Sequence, residues 1–217
     1  PPLRSELYSA DQMALHGEVL AATHKLIPGQ APDLLLARLA DNESTLVDVC
    51  QLLTTAATES RRIMPAGEWL LDNFYLIEEQ IRTAKRHLPE GYSRELPRLS
   101  HGPSAGRPRV YDIALETIAH GDGRVDIDSL SGFVAAYQGL SPMKLGELWA
   151  IPIMLRLAVI ENLRRVGVRI AASWSERNLA ATWAERMAET AVSDPKSLIL
   201  VIADMACSDP PMVGGFV

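Results

Sequence analysis

Residues 68–88 read EWLLDNFYLIEEQIRTAKRHL, and this stretch decides the fold class. Its apolar residues recur in steps of three and four, the spacing that places side chains on one face of an α-helix. They are Leu70, Phe74, Ile77, Ile81, Ala84 and Leu88. The pattern predicts a helix that begins after Pro65, ends at Leu88 and packs its apolar face into a protein core.

The helical period recurs on both sides of this stretch, and no segment alternates apolar and polar residues as a half-buried strand does. Further helices are predicted at residues 11–26, 32–40, 44–63, 109–119, 128–139 and 141–166, from Ser173 with Glu176 in capping-box spacing, and from Asp194. Asp128 is the predicted N-cap of the helix that it begins. We therefore predict an all-α fold of about nine helices without a significant sheet, in which residues 1–217 form a single helical domain.

Residues 89–108, PEGYSRELPRLSHGPSAGRP, are the least regular part of the chain. Their Pro, Gly and Ser content is typical of a linker, which would make this segment a soft domain boundary. The alternative is an ordered loop that packs over the helices, because the segment also carries Tyr92, Leu96 and Leu99. Flexible linkers seldom carry this much apolar surface, so the composition favours the ordered loop.

The composition, 47% hydrophobic and 22% charged residues, is typical of a soluble globular protein. A net charge of −6 argues against nucleic-acid binding and against a polybasic membrane patch. The most apolar run, residues 148–160, is shorter than the ~20 residues that span a bilayer, so we predict no transmembrane segment. Arg156 lies in this run and should need a carboxylate partner from another helix. Cys50 and Cys207 have no CxxC spacing and are expected to be buried, reduced thiols.

A polar stripe runs beside the apolar face of residues 68–88. Carboxylates next to an aromatic ring can bind a sugar or act as acid and base, so the stripe is a candidate site. However, its acids fill the N-terminal half and its bases the C-terminal half, an order that stabilises a helix by itself. The structural explanation is favoured and the site stays open as the alternative. The stripe consists of Glu68, Asp72, Tyr75, Glu79, Arg82 and Arg86.

Asp112, Glu116 and His120 share a face of another predicted helix. Carboxylate and imidazole groups can hold a metal, but no second His at HExxH or ExxH spacing supports one, so we expect no metal here. The Gly-containing, basic loop at residues 101–110 invites a phosphate-binding interpretation but lacks GxxxxGK[ST]. No nucleophile motif occurs, and no catalytic residue is assigned.

Four motifs follow one another in the chain. They are PAGEWLLDNFYLIEEQIRTAKRHLPEGYSRELPRL (65–99), GPSAGRPRVYDIALETIAHGDGRVD (102–126), GELWAIPIMLRLAVIENLRR (146–165) and LVIADMA (200–206). With these motifs, residues 65–206 resemble the N-terminal region of bacterial cyclic β-1,2-glucan synthases. The absence of an initiator Met and the ending GGFV agree with an expectation that the chain is part of a longer membrane protein.

The resemblance implies a large inner-membrane enzyme that polymerises glucose from UDP-glucose, with a divalent metal, and cyclises the product. The transferase part lies downstream in that family, so no cofactor is expected in this region, which precedes the membrane spans and faces the cytoplasm. The expected function is that of an accessory domain whose partners are the other domains of the synthase. One alternative is a glucan-binding or glycoside-processing domain that uses Glu68, Asp72, Tyr75 and Glu79. The other is a protein-interaction or assembly module.

Overall fold

The computed structural model describes residues 6–27, 32–59, 61–88 and 91–208, and the chain divides into two compact units. The first unit comprises Pro1–Asp48 and Asn73–Val166. The second unit comprises Val49–Asp72 and Gly167–Val217. The described part of the soft boundary suggested at residues 89–108 lies within the first unit, not between the two.

Eight α-helices form in the described ranges, which confirms the all-α fold. Two short 3-10 helices and one antiparallel pair of two-residue strands, Leu26 opposite Leu99, complete the secondary structure of these ranges. The α-helices are α1 (Ala10–Thr23), α2 (Leu34–Thr58), α3 (Pro65–Asp72), α4 (Phe74–His87), α5 (Arg109–His120), α6 (Ile127–Leu140), α7 (Leu145–Ser193) and α8 (Leu198–Cys207). The 3-10 helices are Tyr92–Glu95 and Pro195–Ser197, and the strands are β1 (Leu26–Ile27) and β2 (Arg98–Leu99).

The prediction of two helices at residues 32–40 and 44–63 is wrong, because α2 is continuous through Asn42. An asparagine side chain favours turns when it bonds to its own backbone. Here the Asn42 side chain is buried and donates from Nδ2 to Glu161 Oε2 over 2.9 Å instead. The buried leucines Leu39 and Leu46 keep the helical spacing across the predicted interruption.

The opposite error occurs at residues 65–88, where the predicted single helix is two. Asn73 separates α3 from α4 with φ −107° and ψ 8°, outside the helical region. The apolar period nevertheless continues from Leu70 to Ile77 and Ile81, all of which are buried. The spacing of the apolar residues therefore predicts which of these side chains are buried but does not reveal that the helix is interrupted.

The C-terminal helices also differ from the prediction. The segment from Ser173, with Glu176 in capping-box spacing, does not start a new helix, because both residues lie inside the 49-residue α7. The N-cap of α6 is Asp126 rather than Asp128, since Asp126 Oδ2 accepts a hydrogen bond from the Ser129 backbone N–H over 2.8 Å. Local capping signals occur more often than helix ends, and packing decides which of them is used.

The core of the first unit joins α1, α5 and α6. Gly17 of α1 lies so close to α6 that a Cβ atom there would be 2.6 Å from the Phe133 carbonyl oxygen. Only glycine permits this approach, which closes the core between the two helices. The buried members of the cluster are Met13, Ala21, Ile113, Phe133, Val134 and Tyr137.

Residues 91–108 form an ordered loop of the first unit, as the apolar content favoured. Leu96 and Leu99 are buried, and Ser93 Oγ donates to Asp33 Oδ1 over 2.7 Å. Gly106, at φ 76°, donates its N–H to the Leu99 carbonyl over 2.9 Å and closes the turn. The loop is thereby held beside helices that line a cavity of about 660 Å³.

The second unit is built from the C-terminal half of α2, from α3, from the C-terminal half of α7 and from α8. Leu53, Leu70 and Ile170 are among its buried side chains. α8 is strongly apolar, yet Ile199 and Leu200 are exposed. None of the helices in the described ranges combines the length and the apolar character that crossing a membrane requires.

Candidate functional site

The face of α5 that carries Asp112, Glu116 and His120 meets His16 of α1 and His24, the C-cap residue of that helix. His24 Nε2 lies 3.1 Å from Asp112 Oδ2, and His16 Nε2 lies 2.8 Å from Glu116 Oε2. The shared face predicted for α5 is therefore correct, and its two carboxylates each contact an imidazole. The sequence did not indicate His16 or His24, which lie roughly 100 positions away along the chain.

His24 forms a closed hydrogen-bonded group with Asp112 and Tyr137. A carboxylate can only accept, so the His24 ring donates from Nε2 to Asp112, and its Nδ1 atom is hydrogen-bonded to the Tyr137 hydroxyl, 2.8 Å away. Burial raises the pKa of Tyr137, although Arg109 acts against it, and the hydroxyl stays protonated and able to donate. Both ring nitrogens of His24 are thus occupied.

The second group comprises Tyr8, His16, Glu116 and His120. Glu116 Oε2 lies between the Nε2 atoms of His16 and His120, at 2.8 and 3.2 Å. The Tyr8 ring stacks on the His120 ring, with centroids 3.9 Å apart and planes at 7°. His120 Nδ1 donates to the backbone carbonyl of Glu6 over 2.6 Å. These contacts fix the orientation of the His120 ring.

A cavity of about 660 Å³ lies beside these groups in the first unit. The ordered loop contributes residues 101–104 and Arg107, whose Nε atom has no hydrogen-bond partner in the described part of the chain. Three arginines and three carboxylates line the wall, so neither sign of charge dominates. This mixture disfavours the phosphate site considered for residues 101–110. The six charged lining residues are Arg38, Arg107, Asp112, Glu116, Glu161 and Arg165.

Glu161 at the wall of this cavity is an ionised carboxylate with a structural role. Its carboxylate accepts hydrogen bonds from Arg38 Nε at 2.8 Å and Asn42 Nδ2 at 2.9 Å. Burial by itself would raise the pKa of Glu161, but these hydrogen bonds and the charges of Arg38 and Arg165 outweigh it and lower the pKa. A general acid needs a raised pKa, so Glu161 is unsuited to that role.

Arg109 and Glu147 form a second, more enclosed pair, with side chains 3% and 1% exposed. Arg109 donates from Nε and Nη2 to the Glu147 carboxylate at 2.6 and 2.8 Å, and from Nη1 to Ser141 Oγ. Burial acts to lower the pKa of Arg109, but the hydrogen bonds and charge of Glu147 outweigh it and raise the pKa. The sequence did not indicate this pair. The only signal was a glutamate at each end of the apolar run at residues 148–160. This signal does not identify the arginine with which each glutamate pairs.

No protein-family model matches the chain. Aligned with the cyclic beta-(1,2)-glucan synthase NdvB of Rhizobium meliloti (strain 1021), it is 32% identical over 210 residues, which is 95% of the chain. The chain is similar to a segment of a cyclic β-1,2-glucan synthase. The resemblance inferred from the four motifs is thereby confirmed, and it extends over most of the residues before Pro65 as well. The chain spans 7% of the length of that synthase.

The residues predicted to contact a glucan in such a synthase lie on two helices. Glu68 and Asp72 are exposed on α3 in the second unit, where they line a shallow cavity of about 510 Å³ with Arg61 and Arg62. Tyr75 and Glu79 are exposed on α4 in the first unit, Tyr75 by 62%. The interruption at Asn73 means that the four do not form the continuous stripe of one helix.

Arg156 of the glucan-synthase-like motif at residues 146–165 differs from its prediction. Its side chain is half-buried, and its Nη1 atom lies 3.5 Å from His87 Nδ1. No ion pair joins it to a carboxylate among the described residues. A long side chain at this position can bury its stem and leave the guanidinium near water, so the expected partner is not required.

Cys50 and Cys207 are not joined in a disulfide. The prediction that both are buried is wrong, because Cys50 is half-buried and Cys207 is exposed. Cys207 ends α8, a helix with one buried residue, Val201. Its apolar neighbours along the chain therefore gave a misleading signal of burial.

Proposed function

We propose that this chain is a helical accessory domain of a cyclic β-1,2-glucan synthase that makes its product from UDP-glucose. The observation that carries the proposal is the 32% identity over 95% of the chain, which includes helices of both units. In this proposal the chain is the N-terminal region of the synthase. It lies on the cytoplasmic side of the inner membrane, and UDP-glucose with its divalent metal binds to another part of the enzyme.

The buried carboxylates are paired with arginines, and this pairing supports an accessory role. Glu147 and Glu161, the two buried carboxylates of the described residues, are each held by an arginine of another helix. Paired catalytic carboxylates need one member with a raised pKa, whereas the pKa of Glu161 is lowered. Charges that are engaged with each other in this way fix helix positions, and neither Glu147 nor Glu161 is then free for acid–base catalysis.

The proposed partners are the other domains of the synthase. Ile199 and Leu200 are 71% and 64% exposed on α8, and Val192 is 87% exposed at the end of α7. Exposed apolar surface of this kind is typical of regions that contact another protein or another domain. Since the chain spans only 7% of the similar synthase, the rest of such an enzyme would supply the covering surface. An assembly module with a separate partner protein is the alternative.

Glucan binding is a second candidate function, favoured by one observation. Glu68 and Asp72 line an open cavity together with Arg61 and Arg62, and this mixture of acceptors and donors suits sugar hydroxyl groups. In this alternative Tyr75 and Glu79 add further contacts from α4. Titration of the chain with cyclic β-1,2-glucan and with UDP-glucose, followed by calorimetry, tests it directly. No heat of binding at millimolar ligand would exclude this alternative.

The accessory role is tested in the complete synthase, in membranes supplied with radiolabelled UDP-glucose. Removing residues 6–208 should reduce the amount of synthase in the membrane, the glucan formed, or both. The quadruple variant E68Q/D72N/Y75A/E79Q should leave both unchanged, because the substituted side chains are exposed. Normal amount and normal synthesis after the deletion would contradict the proposal. Normal amount with lost synthesis in the quadruple variant would favour glucan binding.

A further inference from the structure

Three metal-ligating side chains converge where α1 meets the end of α5. The candidate ligand atoms of His16, Glu116 and His120 all lie within 4.8 Å of one another. Both Nε2 atoms are close to the same carboxylate oxygen, at 2.8 and 3.2 Å. Tetrahedral zinc with bonds of about 2.0 Å places its ligands roughly 3.3 Å apart, so small side-chain movements would suffice to form a site.

The hydrogen bonds of His120 leave a place for a positive charge between its Nε2 atom and Glu116, which a proton or a metal ion can fill. A backbone carbonyl only accepts, so His120 Nδ1, 2.6 Å from the Glu6 carbonyl oxygen, carries a proton. In the neutral ring, Nε2 then points a lone pair at Glu116 Oε2, 3.2 Å away. Two lone pairs at this distance repel unless a proton or a metal ion lies between them. A histidine whose other nitrogen donates to a carbonyl is also the usual arrangement in metal sites.

The adjacent histidine group shows what a complete arrangement without a metal looks like. His24 uses Nδ1 for the Tyr137 hydroxyl and Nε2 for Asp112, so neither nitrogen is left for a metal. In the His16 group, by contrast, one carboxylate oxygen faces two imidazoles. The rings are also held in place, His120 by stacking on Tyr8 and His16 by stacking on Phe133, with centroids 5.9 Å apart.

We propose that His16, Glu116 and His120 bind one divalent transition-metal ion of the zinc type. Two imidazoles and a carboxylate suit zinc, whereas magnesium and calcium prefer oxygen ligands alone. The side chains are 21%, 30% and 11% exposed, which leaves a path for the ion and a fourth position for water. The ion joins α1 to α5. This proposal is independent of the proposed function.

The test is zinc binding by the whole chain after removal of metals with a chelator. Competition with a chromophoric chelator should show one zinc ion per chain, and cobalt should give the absorption of a tetrahedral site. H16A, E116Q and H120A should each weaken zinc binding more than about 100-fold, since loss of an outer-shell partner alone costs 10- to 100-fold. In nitrogen NMR spectra of the histidine rings, the Nε2 signals of His16 and His120 should shift when zinc is added.

Two control variants separate a site from general effects. H24A alters the same helix and removes a partly buried histidine paired to a carboxylate, and H101A removes an exposed histidine. Both should bind zinc as the unaltered chain does, with the helical content of all variants checked by circular dichroism. The proposal is overturned if the unaltered chain does not bind zinc, or if H16A and H120A bind it as tightly as H101A. A His120 ring protonated on both nitrogens in the presence of zinc also overturns it.

Discussion

At the residue scale, the pair of Arg109 and Glu147 is the most enclosed ion pair of the described residues. R109M leaves the Glu147 carboxylate buried without its cation, and removing one partner of a buried pair typically costs about 3–5 kcal/mol. The free energy of unfolding, measured by urea denaturation, should fall by that amount. Adding E147Q to R109M should recover part of the loss, because no buried charge is then left unpaired.

An exposed pair provides the control for R109M. Lys85 and Glu43 are joined by an ion pair in which the side chains are 45% and 35% exposed. Exposed pairs contribute about 0–1 kcal/mol, so K85A should change the unfolding free energy little. If R109M lowers the free energy of unfolding no more than K85A does, the buried pair does not stabilise the first unit.

Glu161 gives the molecule a pH dependence at acidic pH. Its pKa is lowered in the folded chain, so the unfolded state binds the proton more readily. The resulting stability is fully present above the ordinary glutamate pKa of about 4.3 and is lost as the pH falls through the lower folded value. In urea unfolding measured between pH 6 and pH 3, the free energy of unfolding of the unaltered chain should therefore fall relative to that of E161Q. A constant difference between the two across this range would contradict the lowered pKa.

At the element scale, the contact between α1 and α6 depends on Gly17. A Cβ atom there would lie 2.6 Å from a backbone oxygen of Phe133 and 2.8 Å from its ring, and a backbone atom cannot move aside cheaply. G17A should destabilise the chain, because overpacking of about 1–3 kcal/mol exceeds the gain of about 1 kcal/mol in helix propensity.

Gly132 in α6 is the control for Gly17. Apart from the backbone of its own helix and its chain neighbours, no heavy atom of the described residues lies within 4 Å of the position that its Cβ would take, so G132A should gain stability from helix propensity alone. Thermal unfolding followed by circular dichroism compares the two variants. Equal shifts of the midpoint in the same direction would contradict the close approach at Gly17.

Helix boundaries show where local sequence signals stop being decisive. The apolar spacing identified the buried residues Ile77, Ile81 and Ala84 correctly. It did not reveal that Asn73 ends a helix or that Asn42 does not. The Asn42 side chain is engaged in a tertiary contact, since it donates to Glu161 from 119 positions away along the chain. No local window of sequence contains that partner.

At the scale of the whole molecule, the chain forms two units, each built from segments that are far apart in the sequence. α2 and α7 each run from one unit into the other, so neighbours in sequence on these helices belong to different packed regions. The predicted glucan residues are divided in the same way, with Glu68 in the second unit and Glu79 in the first. The synthase experiment above addresses this scale, because only the complete enzyme contains the partners proposed for the exposed face of α8.

The sequence by itself determined the all-α fold, the buried positions of residues 68–88 and the similarity to a glucan synthase. These follow from the helical period and from residue order, which are properties of the linear chain. Only the tertiary structure decided which helices are continuous, and which charges pair. It also decided that His16 of α1 completes a ligand set with Glu116 and His120 of α5. The reason is physical: a buried polar group must find a partner, and that partner lies on another helix, roughly 40 to 120 residues away.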